Sequence, residues 1–297
     1  MSRADAETDV RKCVECLPPA DAFALIGNET RLSILEALWE AKEGPVRFSA
    51  LNEAVGMRDS AQFNYHLSKL TDQYVRKTDE GYELRTAGAK VVQAILAGSF
   101  TEHPQLDPFA VGDGCTRCGE ELLASYAEET LAIDCPACGR GHGEYPFPPG
   151  GLHDRTDEEI LTAFDQRVRH LHCLAKDGVC PECSGRMHTT ISRGGECCLG
   201  VGLRADHVCQ QCNHSLCSAI GLSLLDRSET IAFYRDHGID LGTTPYWRLE
   251  WCVSDDHTEV RSTEPWQLGV TITLGDETLE ATLDGDLSLV DAERTRT

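Results

Sequence analysis

Fifteen cysteines are the residues of this chain whose type and spacing most clearly indicate a chemical role. Cys115 and Cys118 form a Cys-x2-Cys pair, and Cys135 and Cys138 form a second pair sixteen residues later. Two pairs at this spacing are typical of a zinc site with four thiolate ligands. Such a site has no open coordination position, so bound Zn²⁺ is expected to stabilise the fold rather than to catalyse a reaction.

The residues around these pairs predict a zinc ribbon over residues 110–143. Residues 122–126 and 130–133 have the pattern of two paired strands. Gly119 and Gly139 follow the pairs and allow tight turns that aim backbone N–H groups at thiolate sulfurs. Because so short a ribbon has little apolar core of its own, we expect it to unfold when the metal is removed.

A second set of four cysteines predicts a second Zn²⁺ site. Cys180 with Cys183 and Cys209 with Cys212 repeat the pairing, but 25 residues separate the two pairs, which is more than usual. Residues 186–191 and 203–209 are the strands expected for this second ribbon-like site. Three nearby residues are rival ligands: His207, His214 and Cys217.

The other cysteines do not complete a recognisable site. Cys13 and Cys16 form a third pair, but two thiolates cannot close a zinc site without ligands from a second protomer or another segment. A redox switch and unstructured or packed thiols are the alternatives for this pair. Four further cysteines are predicted to be small buried side chains: Cys173, Cys197, Cys198 and Cys252.

The charge balance of the chain is strongly acidic and uneven. The 27 basic and 49 acidic residues give a net charge of −22, and only six of the basic residues are lysines. Residues 1–100 carry 12 basic and 15 acidic groups, a net charge of −3, which leaves −19 for the rest. This composition argues against polyanion binding by bulk charge. It resembles proteins of salt-loving archaea, with an acidic protein from a low-salt organism as the alternative.

Nothing in the hydropathy of the chain predicts a membrane segment. No window approaches the ~18 consecutive apolar residues of a membrane-spanning helix. The first 30 residues lack the basic start and apolar core of a secretion signal. We therefore expect a cytoplasmic protein without membrane contacts, whose thiols stay reduced and bind metal rather than form disulfides.

Residues 17–100 have the element order of a winged helix-turn-helix, preceded by a polar, flexible tail over residues 1–16. The elements predicted from apolar spacing and turn signals are helices over residues 20–39 with a break at 27–28, helices over 49–55 and 60–70, a hairpin over 74–85 and a helix over 86–97. The two short helices and the tight turn between them form the helix-turn-helix.

Two segments of this unit resemble the ArsR-type regulators of archaea, a family of winged-helix DNA-binding proteins. They are Asn28-Glu-Thr-Arg-Leu-Ser-Ile-Leu and Phe63-Asn-Tyr-His-Leu-Ser-Lys-Leu70. The hairpin that follows also fits this family, and the resemblance covers residues 20–97. It implies a DNA-binding domain and a homodimer. The residues of the last helix that would form the dimer interface are Val91, Val92, Ile95 and Leu96, with packing inside their own domain as the alternative. The cysteines and histidines by which such regulators sense metals are missing here, so that role is not implied.

The helix over residues 60–70 has one apolar face and one polar face. Phe63, Leu67 and Leu70 form the buried stripe, and His66 borders it as a packed residue. In helix-turn-helix docking the second helix meets base edges in the major groove. The candidate base-reading residues are Ser60, Gln62, Asn64, Tyr65 and Ser68. The candidate contacts to phosphate or the minor groove are Lys69 on the helix and Arg76, Lys77 and Arg85 in the wing.

The C-terminal part is predicted to contain a linker, a helical region and a β region. Prolines and glycines indicate the linker at residues 144–155, and the helical region with the second cysteine site covers 156–243. The β region covers 244–292, where the apolar period changes to two. Its expected strands are residues 247–251, 259–262, 267–274, 278–283 and 287–290. Trp247, Leu249 and Trp251 would share a strand face that covers a core or lines a small-ligand pocket.

The predicted fold class is therefore α+β and multidomain, with an N-terminal winged helix-turn-helix, four-cysteine zinc ribbons and a C-terminal antiparallel β-rich domain. The predicted function is sequence-specific binding of double-stranded DNA as a transcriptional regulator. The zinc-stabilised part would sense an unknown small molecule or bind a protein effector. One alternative is a protein-protein interaction module that bridges a transcription complex without reading an operator. An enzyme with a reactive cysteine or open zinc site is the other, and we expect no enzymatic activity.

Overall fold

The computed structural model of the chain describes three stretches, residues 17–41, 44–194 and 199–296. The chain forms two compact units, Met1–Phe100 and Thr101–Thr297. Helices and antiparallel sheets give it an α+β architecture. The predicted tail over residues 1–16, with Cys13 and Cys16, lies outside the described residues, as do Cys197 and Cys198.

The first unit contains five helices and one hairpin in its described part. They are α1 (Pro19–Ile26), α2 (Glu29–Glu40), α3 (Phe48–Val55), α4 (Ser60–Leu70), β1 (Val75–Lys77), β2 (Tyr82–Leu84) and α5 (Thr86–Leu96). Side-chain caps begin two of the helices, because the Asn28 oxygen accepts from the Arg31 N–H and Asp59 accepts from Ala61 and Gln62. These elements match the predicted order.

The core of the first unit is formed by the apolar faces of its helices and the start of its hairpin. Phe63, Leu67 and Leu70 are all buried, which confirms the predicted stripe of α4. They pack in one cluster with residues of α2 and with Val92 of α5. Val92 was expected at a dimer interface, but its side chain is buried in the core of its own unit. Leu96 on the same helix remains exposed.

The second unit contains three antiparallel sheets and three α-helices among its described residues. The first sheet is β3 (Leu106–Gly114), β4 (Glu121–Ala127), β5 (Thr130–Asp134) and β6 (Gly141–Pro146). The second sheet is β7 (Met187–Arg193), β8 (Leu203–Cys209) and β9 (Ser215–Ala219). The third sheet is β10 (Thr258–Thr263), β11 (Trp266–Leu274), β12 (Glu277–Asp284) and β13 (Leu289–Arg296). The helices are α6 (Asp157–Lys176), α7 (Ser228–Asp236) and α8 (Glu250–Val253).

One hydrophobic core joins the three sheets and α6 of the second unit. The predicted linker over residues 144–155 differs from the structure, because β6 continues to Pro146 and Phe147 is buried in this core. The prolines and glycines there end an edge strand and form a short 3₁₀ turn, Pro149–Gly151, before the capping box of α6 at Thr156.

The predicted strand over residues 247–251 is wrong. The structure has a 3₁₀ helix at Tyr246–Arg248 followed by α8. Trp247, Leu249 and Trp251 are nevertheless all buried, as a core role requires. Tertiary contacts decide this conformation, since the indole N–H of Trp247 donates to Asp113 (2.8 Å) and that of Trp251 donates to the Tyr234 hydroxyl (2.7 Å). None of the described helices is long and apolar enough to cross a membrane.

Candidate metal centres and nucleic-acid interface

Cys115, Cys118, Cys135 and Cys138 bring their sulfurs together at one end of the first sheet. All four Sγ atoms lie within 4.8 Å of one another. The Cys115–Cys138 distance is 3.8 Å and the Cys118–Cys135 distance is 3.4 Å. Tetrahedral ligands at ~2.3 Å from Zn²⁺ stand ~3.8 Å apart, whereas disulfide sulfurs stand ~2.05 Å apart. The arrangement therefore fits a metal ion and not a disulfide.

Each cysteine pair of this first cluster sits on a tight backbone turn. Cys115 N–H donates to the Glu120 carbonyl (2.7 Å), and Cys135 N–H donates to the Arg140 carbonyl (2.9 Å). Gly119 and Gly139 close the two turns with φ of 78° and 69°, as their position in the sequence predicts. These turns aim backbone N–H groups at the sulfurs.

The second cluster consists of Cys180, Cys183, Cys209 and Cys212, which resolves the choice among rival ligands. Their Sγ atoms also lie within 4.8 Å of one another, with Cys180–Cys212 at 3.7 Å and Cys183–Cys209 at 3.5 Å. The rival ligands His207, His214 and Cys217 are not members of this group. The Nδ1 atom of His207 instead shares a hydrogen bond with the Thr189 hydroxyl (2.9 Å). Both clusters can thus hold a metal with four sulfur ligands.

The second cluster repeats the turns of the first with different residues. Ser184 and Asn213 take the left-handed positions, with φ of 59° and 60°. The carbonyls of Cys180 and Cys209 accept the N–H groups of these residues at 2.9 and 3.1 Å. The backbone N–H of Cys212 is the largest cause that lowers the pKa of the Cys209 thiol, to about 6, and this favours the thiolate that a metal binds.

One side chain also reaches the first cluster. His142 is fully buried, and its Nε2 lies 3.4 Å from the Cys115 sulfur. It occupies a bulge in β6, because Asp134 pairs with Gly141 while Ile133 pairs with Gly143. The sequence predictions missed this residue, because which residue a bulge turns inward depends on strand register rather than on spacing between cysteines.

A buried group of polar side chains, which we call the histidine joint, links the first two sheets of the second unit through α6. It consists of His172, Tyr145 and His207. His172 Nε2 lies 3.0 Å from the Tyr145 hydroxyl, and that hydroxyl donates to the Cys217 carbonyl at 3.4 Å. Burial lowers the pKa of His172 to about 3 and that of His207 to about 4, so both rings are neutral at pH 7.

The predicted DNA-contacting residues of the first unit lie on exposed surfaces. The candidates on α4 are all exposed: Ser60, Gln62, Asn64, Tyr65, Ser68 and Lys69. Tyr65 is 56% exposed, and the Lys69 ammonium lies 5.5 Å from the centre of its ring. The Ser68 hydroxyl donates to the Tyr65 carbonyl at 2.8 Å. His66 is half-buried with its ring edge-on to Tyr65, as a packed residue would be.

The predicted wing contacts lie on and just after the hairpin. Arg76 forms an ion pair with Glu83, which faces it across the hairpin. The Lys77 ammonium lies 5.9 Å from the centre of the Tyr82 ring. Arg85 is exposed at the start of α5. Lys77 and Arg85 can therefore meet a phosphate directly, while Arg76 would first exchange its carboxylate partner.

The family model described as Domain of unknown function (DUF7351) matches residues 112–289, more than half of the chain. The chain belongs to this family. The DUF7351 match contains both cysteine clusters, His142 and the histidine joint. A second model, described as Domain of unknown function (DUF7347), matches residues 19–95, which include α4 and the hairpin. No curated protein matches the chain.

Proposed function

We propose that the chain is a DNA-binding transcriptional regulator in which the first unit is a winged helix-turn-helix. The observation that carries the proposal is the division of α4 into two faces. Phe63, Leu67 and Leu70 anchor the helix in the core, so the opposite face is held out to solvent in a fixed orientation. An α-helix fits the major groove of B-form DNA, where Gln62 can pair bidentately with adenine.

The net charge of the first unit limits which interactions can supply its affinity for DNA. With a net charge of −3 over residues 1–100, the unit cannot rely on counterion release in the way a basic domain does. Base contacts from α4 and local cations such as Lys69, Lys77 and Arg85 would carry the affinity. Binding of this kind persists in molar salt, which agrees with an acidic, lysine-poor chain.

The second unit would be stabilised by two Zn²⁺ ions and would receive a small molecule or a protein effector. Four sulfur ligands with no open position favour zinc in a structural role. A cleft of about 590 Å³ lies beside Trp247, and Asp113 and Asp165 are among the residues that line it. This cleft is our candidate for the effector site.

A homodimer would place two reading helices on one DNA site. Leu96 at the end of α5 and Phe100 beyond it are 57% and 77% exposed, and Phe23 on α1 is 70% exposed. Of these residues, Leu96 lies on the last helix of the unit, where the resemblance to ArsR-type regulators implies the dimer interface. The interface we propose therefore uses Leu96 rather than the buried Val92.

Fluorescence anisotropy in molar potassium chloride tests the DNA-binding proposal. The full zinc-loaded chain is titrated against labelled DNA from upstream of its own gene and against a scrambled duplex. We expect preference for the upstream DNA, with affinity reduced about tenfold or more by Tyr65→Ala and by Gln62→Ala. Gln93→Ala, at an exposed position of α5, serves as the matched control and should bind like the wild type.

A failure of this test would favour the interaction module. That alternative gains support from the net charge of −19 outside the first 100 residues, which suits a basic protein partner. If the folded, zinc-loaded chain binds both duplexes equally and weakly, and Tyr65→Ala changes nothing, the regulator proposal is wrong.

A further inference from the structure

The two cysteine clusters have similar turns, but the strands that follow their second cysteine pairs differ by one inserted residue. His142 lies four residues after Cys138, and Leu216 lies four residues after Cys212. In the second sheet Val208 pairs with Ser215 and the neighbouring pair is His207 with Leu216, so the strand pairing there has no bulge. The first sheet has a bulge at this point, and His142 is its extra residue.

Glycines stand on both sides of His142 in this bulge, and one of them packs closely against Tyr246. Gly141 and Gly143 flank the histidine, and both are buried. A Cβ atom on Gly143 would lie 1.9 Å from the Tyr246 hydroxyl oxygen, so the backbone approaches Tyr246 more closely than any other residue type permits. The histidine is thereby held at the Cys115 sulfur by strand pairing and packing, and not by a mobile loop.

We propose that His142 is a positioning residue for the first metal site, which donates its Nε2–H to the metal-bound Cys115 thiolate. A thiolate that binds a metal carries no proton, so at the 3.4 Å contact the sulfur must accept and the ring nitrogen must donate. Cys115 also receives the Arg117 backbone N–H at 3.4 Å. The second sheet has no bulge and therefore no extra residue at this place, and the residue four positions after Cys212 is the apolar Leu216.

The consequence is a difference in the reactivity of the two sites. A hydrogen bond to a thiolate withdraws electron density from the sulfur, which lowers its nucleophilicity and fixes its orientation toward the metal. Cys115 should therefore be protected from alkylation and oxidation in a way that its counterpart Cys180 is not. This inference rests on the proposed metal occupancy of the first cluster.

The test is alkylation of the zinc-loaded full chain by iodoacetamide, with each cysteine followed by peptide mass spectrometry. His142→Leu removes the donor and leaves an apolar side chain of similar size, and His142→Gln keeps an N–H donor of similar reach. We expect His142→Leu to speed alkylation of Cys115 about tenfold. His142→Gln should stay within about twofold of the wild type, and Cys180 in the same molecules should react at an unchanged rate.

The absorption spectrum of the Co²⁺-loaded chain is a second measurement, and a change in packing without loss of the hydrogen bond should leave it unchanged. Loss of the hydrogen bond raises the energy of the sulfur electrons, so the sulfur-to-cobalt charge-transfer band should shift to longer wavelength in His142→Leu and return in His142→Gln. An unshifted band, or equal alkylation of Cys115 in both variants, would overturn the proposal. If Cys115 and Cys180 react as free thiols in the wild type, metal occupancy itself is wrong, and the inference fails with it.

Discussion

The two cysteine clusters of the second unit have the same backbone turns but different neighbouring residues. Each cluster has two Cys-x2-Cys turns closed by a residue with positive φ, and each holds four sulfurs within 4.8 Å. The first cluster uses Gly119 and Gly139 at the left-handed positions, whereas the second uses Ser184 and Asn213. The spacing of the cysteines therefore determines which sulfurs come together, whereas the pairing of the neighbouring strands determines which other side chains lie beside them.

Removal of one ligand from either cluster should give the largest effect. Cys135 and Cys209 occupy equivalent positions, and both belong to the shared core of the second unit. We expect Cys135→Ser and Cys209→Ser each to lose one zinc ion and to lower the free energy of unfolding of this whole unit by several kcal/mol, on the order of a structural metal's contribution. Zinc analysis and thermal unfolding followed by near-UV circular dichroism measure both.

This pair of variants also tests the expectation that the first ribbon unfolds when its metal is removed. Because Leu122, Tyr126 and Ile133 of the first ribbon pack in one core with α6, the loss of its metal should weaken the whole second unit together. Local unfolding of residues 110–143, with the rest of the second unit unchanged, would contradict the claim that the two sites are stabilised by one shared core. Hydrogen exchange distinguishes the two outcomes.

Filling the space at Gly143 should give the next largest effect. The Cβ of Gly143→Ala would meet the Tyr246 hydroxyl, and relief of that overlap requires movement of β6 or Tyr246. We expect destabilisation of about 1–3 kcal/mol, which is typical of overpacking. Gly112→Ala, where a Cβ meets nothing within 4 Å, reports the separate cost of positive φ at a glycine. Chemical denaturation compares them, and equal stability of both variants would contradict the close approach.

Acid should weaken the histidine joint between the first two sheets. His172 has a pKa of about 3 in the folded chain and a reference value of 6.5, so between these values the unfolded chain binds the extra proton. Stability is therefore complete above about pH 6.5 and falls as the pH drops, by on the order of 1 kcal/mol per pH unit for this group. His172→Gln should have a flatter pH dependence of unfolding, measured where zinc content stays constant. Identical slopes for both proteins would contradict this role.

The smallest effect is expected at the left-handed turn positions. Ser184→Gly removes a Cβ from a residue with φ of 59°, so the second site should gain up to about 1 kcal/mol. Gly119→Ser makes the reverse change in the first site and should lose a similar amount. Denaturation midpoints of the two variants measure the difference, and changes of the same sign would contradict the equivalence of the turns.

Local sequence signals predicted much of this structure. The Cys-x2-Cys spacing identified all eight cysteines that the structure brings together in the two clusters, and the caps and apolar stripe of α4 identified its buried face. Conformations set by distant partners were not predictable in this way. Trp247 and Trp251 follow a strand-like period, yet hydrogen bonds to Asp113 and Tyr234 hold them on two short helical turns. His142 was missed for the same reason, because strand pairing turns it inward.

Native mass spectrometry of the full chain, purified without added metal, tests the central claim of two metal sites most directly. The native mass should exceed the denatured, metal-free mass by two zinc ions per chain, with every thiol of the two clusters reduced. Cys135→Ser and Cys209→Ser should each carry one zinc ion. A chain that carries no metal, or one whose clusters lose hydrogen through disulfide formation, would contradict the account.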